Sequence, residues 1–360
     1  MVLIEPSNHS KRIVLWLTPV SDLGGVARHI LDVVKCGVPG FELIVAGPPG
    51  LLAHEVSKVG GTYKALDFGP RYGFSASRRS LTKILSEYRP IIVHSHLAYA
   101  DFILASTSFT SGSKFISTEH GIAAPDIYSA NGARAFLVRV LHRMRSYRFV
   151  RFIAVSESTK KVMLQKWGVK TPTSVVYNGV DVPEKVARSK IPTDGSICAL
   201  TLSRLSPEKQ IDAVIQAFRL VVDVDPAANL LIAGEGPERA KLEELTQNLK
   251  LSDNCSFLGH VDPQAALERA TLLIQVSKWE NCSYSLLDAR VSGVPVLATA
   301  VGGNPELVPE EYLIRNLESA ELAQRILEKK ESMKLPQWQS TQEMSAKIAV
   351  IYEEVLKNDS

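Results

Sequence analysis

Two acidic residues in the stretch KWENCSYSLLDARVSG, residues 278–293, have a spacing that could serve a ligand. If a helix begins near Ser283, Glu280 lies in the loop before it and Asp288 lies more than one turn inside. Eight steps of about 100° leave the two side chains about 80° apart, so both carboxylates could project toward one cleft from different heights. Carboxylates of this kind accept hydrogen bonds from the paired hydroxyls of a sugar or a ribose. The simpler alternative is a helix whose first turns carry acids that complement its macrodipole.

A second stretch, LSRLSPEKQIDAVIQAF at 202–218, combines two cations with a predicted helix start. Arg204 and Lys209 flank the Ser-Pro-Glu tripeptide at 206–208, which places both positive charges at the positive end of that helix. An arginine fork and a lysine point charge suit the binding of a diphosphate. The alternative is that both are solvated surface cations beside Glu208.

Glycine-rich turns follow several predicted strands. Gly24 and Gly25 stand between the first strand and the first helix, where backbone amides can approach a phosphate closely. The turn in IAGEGPERAKLEEL, at 232–245, and Gly302 with Gly303 in VGGNPELV repeat the pattern and would free further amides for a bound ligand. Each turn by itself could be a plain connection, and the three-glycine dinucleotide fingerprint is absent after the first strand. Their recurrence at corresponding strand ends favours a ligand site.

The elements that would position these residues are short apolar strands alternating with amphipathic helices. The strands are continuously apolar, as in a parallel sheet covered on both faces. They are predicted at 12–17, 41–47, 90–96, 114–120, 151–156 and 173–179, and again at 196–203, 228–234, 254–259, 270–277 and 294–300. The pattern predicts two doubly wound α/β domains, at 1–180 and 181–340. A last helix at 336–357 has one apolar face, and periodicity alone leaves open which domain receives it.

The bulk composition agrees with two globular domains. The chain has 360 residues, with 45% hydrophobic and 22% charged residues, and this length exceeds what one hydrophobic core usually spans. The N-terminus has no signal-peptide pattern and no stretch approaches about 18 uninterrupted apolar residues, so we expect a cytoplasmic protein. Four cysteines without paired spacing predict reduced thiols rather than a metal site or a disulfide framework.

Charge is distributed unevenly along the chain. Residues 1–180 carry 22 Lys/Arg and 11 Asp/Glu, whereas residues 181–360 carry 19 and 27, giving +11 and −8. A basic N-terminal half suggests an anionic partner, such as a membrane surface, a phosphorylated lipid or nucleic acid. Since no recognisable nucleic-acid-binding motif accompanies the positive charge, nucleic acid is not expected as a partner.

The polar segments together resemble one family, the retaining, nucleotide-sugar-dependent glycosyltransferases of family four (glycosyl transferases group 1). The segments that carry the resemblance are YNGVD (177–181), LSRLSPEKQID (202–212), AGEGPERAKLEEL (233–245), FLGHVDP (257–263) and ENCSYSLLDARVSGVPVLATAVGGNPELV (280–308), and, more loosely, SDLGGVARHILDVV (21–34), VHSHLAYADF (93–102) and STEHG (117–121). The resemblance implies the GT-B fold, in which two Rossmann-like domains face a central cleft. It also implies that a C-terminal helix at about 340–360 completes the N-terminal acceptor domain.

The resemblance implies roles for the C-terminal residues. Arg204 and Lys209 would bind the donor diphosphate and neutralise its charge as the nucleoside diphosphate leaves. Glu280 would contact hydroxyls of the donor sugar, and Asp288 would hold the ribose hydroxyls. The family usually has glutamate at the position of Asp288, and the missing methylene would alter or lengthen that contact.

Residues of the N-terminal half would complete the site by the same resemblance. Gly24 and Gly25 would approach the phosphates, and His120 would lie beside the donor sugar. His94 and His96 end a strand nearby and would line the cleft wall. Fixed cations and helix ends can stabilise the departing diphosphate, so we expect no metal and no cofactor. The Asp-Val-Asp run at 223–225 ends a helix before a proline and is not interpreted as a metal site.

The stretch NGARAFLVRVLHRMRSYRFVRF, at 131–152, contains six arginines and no acid. A basic amphipathic helix of this type could dock on an anionic membrane, next to a saccharide or lipid-linked acceptor. Alternatively, its apolar face packs on the first sheet and its arginines remain in water.

Other functions share this layout. The two alternatives that remain open are a nucleotide-sugar epimerase of the same fold and a non-catalytic protein that binds a nucleotide sugar as the subunit of a larger enzyme. The replacement of the family's Gly-aromatic pair by Asn281-Cys282 adds weight to an inactive relative or a different sugar. The retained Arg204, Lys209 and Glu280 favour a glycosyltransferase that acts in bacterial surface polysaccharide or glycolipid synthesis, on the inner face of the membrane or free in the cytoplasm.

Overall fold

The computed structural model describes residues 12–107, 112–121, 133–183, 195–328 and 337–357. Within these ranges two separate parallel sheets form, in the order in which the apolar strands alternate with helices along the chain. The prediction of two doubly wound α/β units is confirmed.

The first sheet has seven parallel strands in the order β3-β2-β1-β4-β5-β6-β7. They are β1 Ile13–Leu17, β2 Glu42–Gly47, β3 Thr62–Ala65, β4 Ile92–His96, β5 Lys114–Glu119, β6 Arg151–Ala154 and β7 Thr173–Val175. The central strands are buried on both faces, which explains why they read as unbroken apolar runs. The sequence missed β3 because this edge strand is short and none of its side chains is fully buried.

Helices cover both faces of the first sheet. They are α1 Gly25–Cys36, α2 Leu51–Lys58, α3 Gly73–Tyr88, α4 Ala98–Ala105, α5 Ala133–Ser146 and α6 Glu157–Gln165. Apolar side chains of α1 and α2 pack on one face, and those of α3, α4 and α6 on the other. The chain therefore winds in both directions from a switch point between β1 and β4, where ligands bind in open α/β sheets.

The second sheet has six parallel strands in the order β10-β9-β8-β11-β12-β13. They are β8 Cys198–Leu202, β9 Asn229–Ala233, β10 Cys255–Gly259, β11 Leu272–Gln275, β12 Val296–Thr299 and β13 Leu313–Ile314. The helices are α7 Ile211–Val224, α8 Arg239–Asn248, α9 Pro263–Leu267, α10 Tyr284–Val291, α11 Asn304–Leu307 and α12 Ser319–Leu327. The two-residue strand β13 was not predicted, since it is shorter than any periodic signal. The switch point here lies between β8 and β11.

The last helix, α13 Thr341–Lys357, packs on the first sheet although it follows the second. Met344, Ile348 and Val355 enter the core beside α1, and Trp16 Nε1 donates a hydrogen bond of 2.8 Å to the Tyr352 hydroxyl. The chain thus passes between the sheets twice. The two passages lie side by side, because the Val180 amide donates to the Gln339 carbonyl at 3.1 Å.

Candidate active site

Most of the predicted site residues lie at the switch points of the two sheets, beyond the carboxyl ends of the strands. Gly24 and Gly25 follow β1, and His120 follows β5. Across the cleft, Glu280 lies in the loop after β11. The two edges face each other closely, because a β-carbon placed on Gly121 would lie 3.8 Å from Asn281 Nδ2. The fold therefore brings residues that are 160 positions apart in sequence onto one cleft.

Lys209 and Glu280 form an ion pair at the C-terminal side of the cleft. Their side chains are 18% and 10% exposed, so the pair is largely removed from water. Ser277 Oγ donates a second hydrogen bond of 2.8 Å to the same carboxylate oxygen. The site thus presents an ammonium and a carboxylate next to each other, one suited to a phosphate oxygen and the other to a hydroxyl.

Arg204 is held more loosely, with 68% of its side chain exposed. Its guanidinium donates a 2.8 Å hydrogen bond to Glu208, which also accepts one of 2.7 Å from Ser206 Oγ. Partial burial opposes ionisation of Glu208, but these hydrogen bonds and the arginine charge lower its pKa to about 2. One guanidinium nitrogen of Arg204 is therefore held by an acid that stays ionised, while most of the side chain is exposed to solvent.

The predicted helix start at 206–208 is wrong in detail. Pro207–Lys209 forms a single 3-10 turn, and α7 begins only at Ile211, after Gln210 in the left-handed region with φ 49°. Lys209 therefore ends the 3-10 turn instead of flanking the helix terminus. This displacement carries its side chain to Glu280.

Gly302 and Gly303 allow the loop after β12 to cross the loop that carries Glu280. A β-carbon on Gly302 would lie 1.8 Å from the Glu280 carbonyl oxygen, and one on Gly303 would lie 1.8 Å from that of Asn281. Gly302 also has φ 52°, which other residues rarely adopt. The Gly303 amide donates to the Glu280 carbonyl at 3.2 Å. The glycines therefore fix the position of Glu280, and at least one of the amides expected to be free is engaged in doing so.

The helix predicted around the second acid is confirmed. Ser283 caps α10 by accepting from the Leu286 amide, Glu280 lies in the loop before the helix, and Asp288 lies in its second turn. Asp288 is 9% exposed and is paired with a residue that the sequence did not indicate. Arg28, one turn into α1, donates to its two carboxylate oxygens at 2.5 and 2.7 Å. The only available signal was a basic residue four positions after Gly24.

A cluster of four histidines lies beneath the N-terminal side of the cleft. Residues His29, His94 and His96 are buried, so the expectation that His94 and His96 line the cleft wall is wrong. His96 Nδ1 lies 2.8 Å from His120 Nε2, which connects the buried rings to the half-buried His120. Burial lowers the pKa of His29 to about 4 and those of the other three well below the usual range. All four imidazoles are neutral at physiological pH.

Three of these rings could geometrically hold a metal ion. One nitrogen each of His29, His96 and His120 lies within 4.8 Å of the others, and this is the one such group among the described residues. The Nε2 atoms of His29 and His96 are buried without a hydrogen-bond partner. However, the His96 and His120 rings are stacked, with 29° between their planes, whereas metal ligands direct their nitrogen lone pairs at one point.

The basic stretch at 131–152 divides into an exposed and a buried part. Within α5 and the turn after it, Arg143 and Arg148 are exposed, and so are four large apolar side chains, Leu141, Met144, Tyr147 and Val150. Arg145 is instead buried, with ion pairs of 2.8 Å to Asp101 and 2.9 Å to Glu119. The side chains of residues 131–138 lie outside the described part of the chain. Arg145 is thus unavailable to a membrane and is not in water either, so neither of the two alternatives holds for every arginine of the stretch.

Comparisons with known proteins assign each half of the chain to a family model. The Glycosyltransferase Family 4 model matches residues 23–184, and the Glycosyl transferases group 1 model matches residues 183–342. Alpha-monoglucosyldiacylglycerol synthase of Streptococcus pneumoniae is 35% identical over 160 residues, which are 40% of this chain and 36% of that protein. N-acetyl-alpha-D-glucosaminyl L-malate synthase of Bacillus anthracis is 38% identical over 109 residues, or 30% of this chain and 28% of that protein. The matches to these two relatives therefore span about a third of their lengths.

Solved structures share the fold over nearly the whole chain. The crystal structure of Anabaena HepE in complex with UDP-glucose superposes with a TM-score of 0.75 at 19% identity, covering 96% of this chain and 98% of HepE. Within the described ranges, each helix is too short or too polar to cross a membrane. With one family model over each half of a GT-B fold, the chain belongs to the group 1, family 4 glycosyltransferases.

Proposed function

We propose that this protein transfers a sugar from a nucleoside diphosphate sugar, of the UDP type, to a saccharide or lipid-linked acceptor, with retention of the anomeric configuration. The observation that carries the proposal is the Lys209–Glu280 pair, next to the point where Gly121, the neighbour of His120, approaches Asn281 across the cleft. The UDP-glucose in the HepE crystal structure supports the choice of donor class. The bacterial relative named as a glucosyldiacylglycerol synthase supports a glycolipid product.

In the proposed reaction, donor binding separates Lys209 from Glu280. Lys209 then meets a phosphate oxygen, joined by the flexible fork of Arg204, and Glu280 accepts from hydroxyls of the sugar. As the sugar–phosphate bond breaks, negative charge grows on the diphosphate, and the two cations stabilise it more than they stabilise the bound donor. Neutral His120 can donate a hydrogen bond to the sugar from the opposite side. The hydroxyl oxygen of the acceptor bonds to the anomeric carbon on the face that the diphosphate leaves, and its proton passes to the departing phosphate oxygen. The product therefore retains the anomeric configuration.

Metal independence is part of the proposal, because Lys209 and Arg204 supply the positive charge that a metal would otherwise provide. The three-histidine group makes a chelator experiment informative, since it is the candidate ligand set near the cleft among the described residues. Activity that survives EDTA would support the proposal. A strict requirement for a divalent ion would contradict it.

The exposed face of α5 suits an anionic membrane as the location of the acceptor. Arg143 and Arg148 provide positive charge next to the exposed Met144 and Tyr147, which are 62% and 68% exposed. Apolar side chains inserted between lipid headgroups and arginines near phosphates are the two contributions that bind a peripheral helix. We therefore infer peripheral binding to the inner membrane face, through this part of the stretch.

The test is a transfer assay with the full chain. UDP-, GDP-, ADP- and dTDP-sugars are incubated with vesicles that contain diacylglycerol, and both nucleoside diphosphate release and the product are measured. An α-linked product from an α-linked donor, abolished in Glu280→Ala, is the expected result. A β-linked product would contradict retention. Nucleotide binding without turnover would favour a non-catalytic binding protein, and isomerised donor in the absence of acceptor would favour an epimerase.

A further inference from the structure

The contact between Arg28 and Asp288 joins the two sheets across the cleft. Arg28 belongs to α1, on the first sheet, and Asp288 belongs to α10, on the second. Both guanidinium nitrogens of the fork donate, one to each carboxylate oxygen, at 2.5 and 2.7 Å. A bidentate pair of this kind is among the stronger and more directional polar contacts in proteins.

The surroundings hold the pair in place. The Arg28 guanidinium lies 4.2 Å from the centroid of the Tyr284 ring, which belongs to α10 as well. Asp32, one turn later in α1, contributes a second carboxylate 3.6 Å from Arg28 Nε. The Arg28 side chain is 33% exposed and that of Asp288 is 12% exposed, so salt screens the interaction only in part. Arg28 therefore makes two separate contacts with α10, and the contact depends on the two sheets being close together.

The same carboxylate is the one that the proposed function assigns to the donor ribose. Ribose hydroxyls need the oxygens of Asp288 as acceptors, and both oxygens already receive hydrogen bonds from Arg28. We propose that Arg28 and Asp288 form a latch, which keeps the cleft closed in the free enzyme and which the ribose of the donor opens by replacing Arg28 on Asp288. This inference rests on the proposed function for its ligand but not for its closed state.

The latch predicts that Arg28 and the ribose of the nucleotide compete for the carboxylate of Asp288. If the ribose must displace Arg28, the measured affinity for the nucleotide is the intrinsic affinity reduced by the fraction of molecules with a free Asp288. Removal of the arginine fork should then tighten nucleotide binding, although it removes a positive charge from a site that binds an anion. A residue that only contacted the nucleotide would show the opposite effect.

The closed state is tested by small-angle X-ray scattering of the full chain without ligand. Arg28→Met keeps an unbranched side chain over Tyr284 but removes the fork, and Asp288→Asn removes the charge. Both variants should have a larger radius of gyration than the wild type. The exchanged pair Arg28→Asp/Asp288→Arg should restore the smaller value. Thermal melting of each variant separates an opened protein from an unfolded one.

A matched control removes an arginine from an ion pair within one domain. Arg219, paired with Asp223 in α7, is 30% exposed, close to the 33% of Arg28. Arg219→Met should leave the radius of gyration unchanged. Folded Arg28→Met and Asp288→Asn proteins with the wild-type radius would overturn the latch.

The replacement of Arg28 by the ribose on Asp288 is tested by calorimetric titration with UDP and with 2′-deoxy-UDP. We expect Arg28→Met to bind UDP about fivefold or more tightly than the wild type, the lower range of ordinary coupling between sites. Asp288→Asn should lose the preference of the wild type for UDP over the deoxy analogue. Unchanged or weaker UDP binding by Arg28→Met would overturn the proposal that the ribose replaces Arg28 on Asp288. If the wild type binds no UDP, both the proposed donor and the replacement of Arg28 by its ribose are wrong. The scattering result still decides whether Arg28 and Asp288 hold the cleft closed.

Discussion

At the scale of single residues, the cleft combines charges that neutralise each other until a ligand separates them. Lys209 contacts Glu280, and Arg28 contacts Asp288. A buried charge without its partner is costly, often by several kcal/mol. The pairs therefore keep the empty site stable, and a donor that carries both an anion and hydroxyls can provide each member with a new partner.

The first prediction concerns the cation at the diphosphate. Lys209→Met should lower kcat by about 100-fold or more, the usual loss when one charge-stabilising group is removed from an active site. Steady-state transfer kinetics measure it. Lys241→Met is the matched control, because Lys241 is 67% exposed in a helix of the same domain and should leave kcat unchanged. A kcat within twofold of wild type in Lys209→Met would contradict the role assigned to this residue.

The second prediction concerns the crossing of the two loops. Gly302→Ala adds a methyl group 1.8 Å from the Glu280 carbonyl oxygen at a positive φ, so Glu280 must move. We expect loss of at least about tenfold in kcat/KM, since small displacements in an active site have effects of this order. Gly60→Ala separates the two causes, because Gly60 has φ 81° but no atom within 4 Å of the added carbon. That variant should lose only about 1 kcal/mol of stability and retain full activity.

At the scale of elements, helix α5 combines a structural task with a membrane-binding task that stays a proposal. One face stabilises the first domain through Arg145, which is enclosed by Asp101 and Glu119. The other face exposes arginines and large apolar side chains. A basic amphipathic pattern in the sequence does not distinguish these tasks, because both require arginine at helical spacing.

The third prediction separates the two tasks. Arg143→Glu/Arg148→Glu should weaken binding to anionic vesicles by more than about tenfold, since each basic residue near such a surface contributes about 1 kcal/mol. The free energy of unfolding should stay within about 0.5 kcal/mol of wild type. Cosedimentation with phosphatidylserine vesicles and thermal melting measure the two quantities.

Two further variants make this experiment decisive. Lys35→Glu/Lys58→Glu reverses two exposed charges on helices at the opposite face of the same sheet and should leave vesicle binding unchanged. Arg145→Met should instead destabilise the protein by about 3–5 kcal/mol, because it leaves two buried carboxylates without their cation. Equal loss of vesicle binding in both double variants would show that net charge, rather than the α5 face, attracts the membrane.

At the scale of the whole molecule, buried histidines connect stability to pH. Burial lowers the pKa of His142 to about 3 and that of His29 to about 4, with three more histidines shifted in the same direction. Between these values and about pH 6.5, the histidines bind protons in the unfolded chain but stay neutral in the folded protein. Their stabilising contribution is thus complete above about pH 6.5 and is lost as the pH falls toward 4. Burial raises the pKa of Asp32 to about 6, that of Glu119 to about 7 and also that of Asp101, and these three carboxylates oppose the trend.

The fourth prediction follows because the five histidines with lowered pKa values outnumber the three carboxylates with raised ones. The free energy of unfolding should fall on acidification from pH 6.5 to 5, by up to about 3 kcal/mol per pH unit. His142→Phe, away from the cleft, should reduce this slope by up to about 1.4 kcal/mol per pH unit. Urea unfolding at pH 7.5, 6.5, 5.5 and 5.0 measures both. Stability that rises on acidification in this range would contradict the neutral state of the cluster.

Much of this protein follows from the sequence by itself. Unbroken apolar strands require a sheet covered on both faces, so RIVLWL, PIIVHSH and their equivalents determined two doubly wound units. The segments at 202–212 and 280–308, with the other matching segments, indicated the family and identified Arg204, Lys209 and Glu280 as candidates, since residue type and spacing are properties of the chain. Their catalytic roles stay predictions.

Only the tertiary structure decided which charges meet. Arg28 and Asp288 are 260 residues apart, and a helical arginine has no local property that reveals its partner. The burial of Arg145 beside Asp101, and of His94 and His96 beneath the cleft, has the same origin. Periodicity shows which face of an element is apolar, whereas the partner of a polar side chain depends on how distant elements pack, and that is determined only when the whole chain has folded.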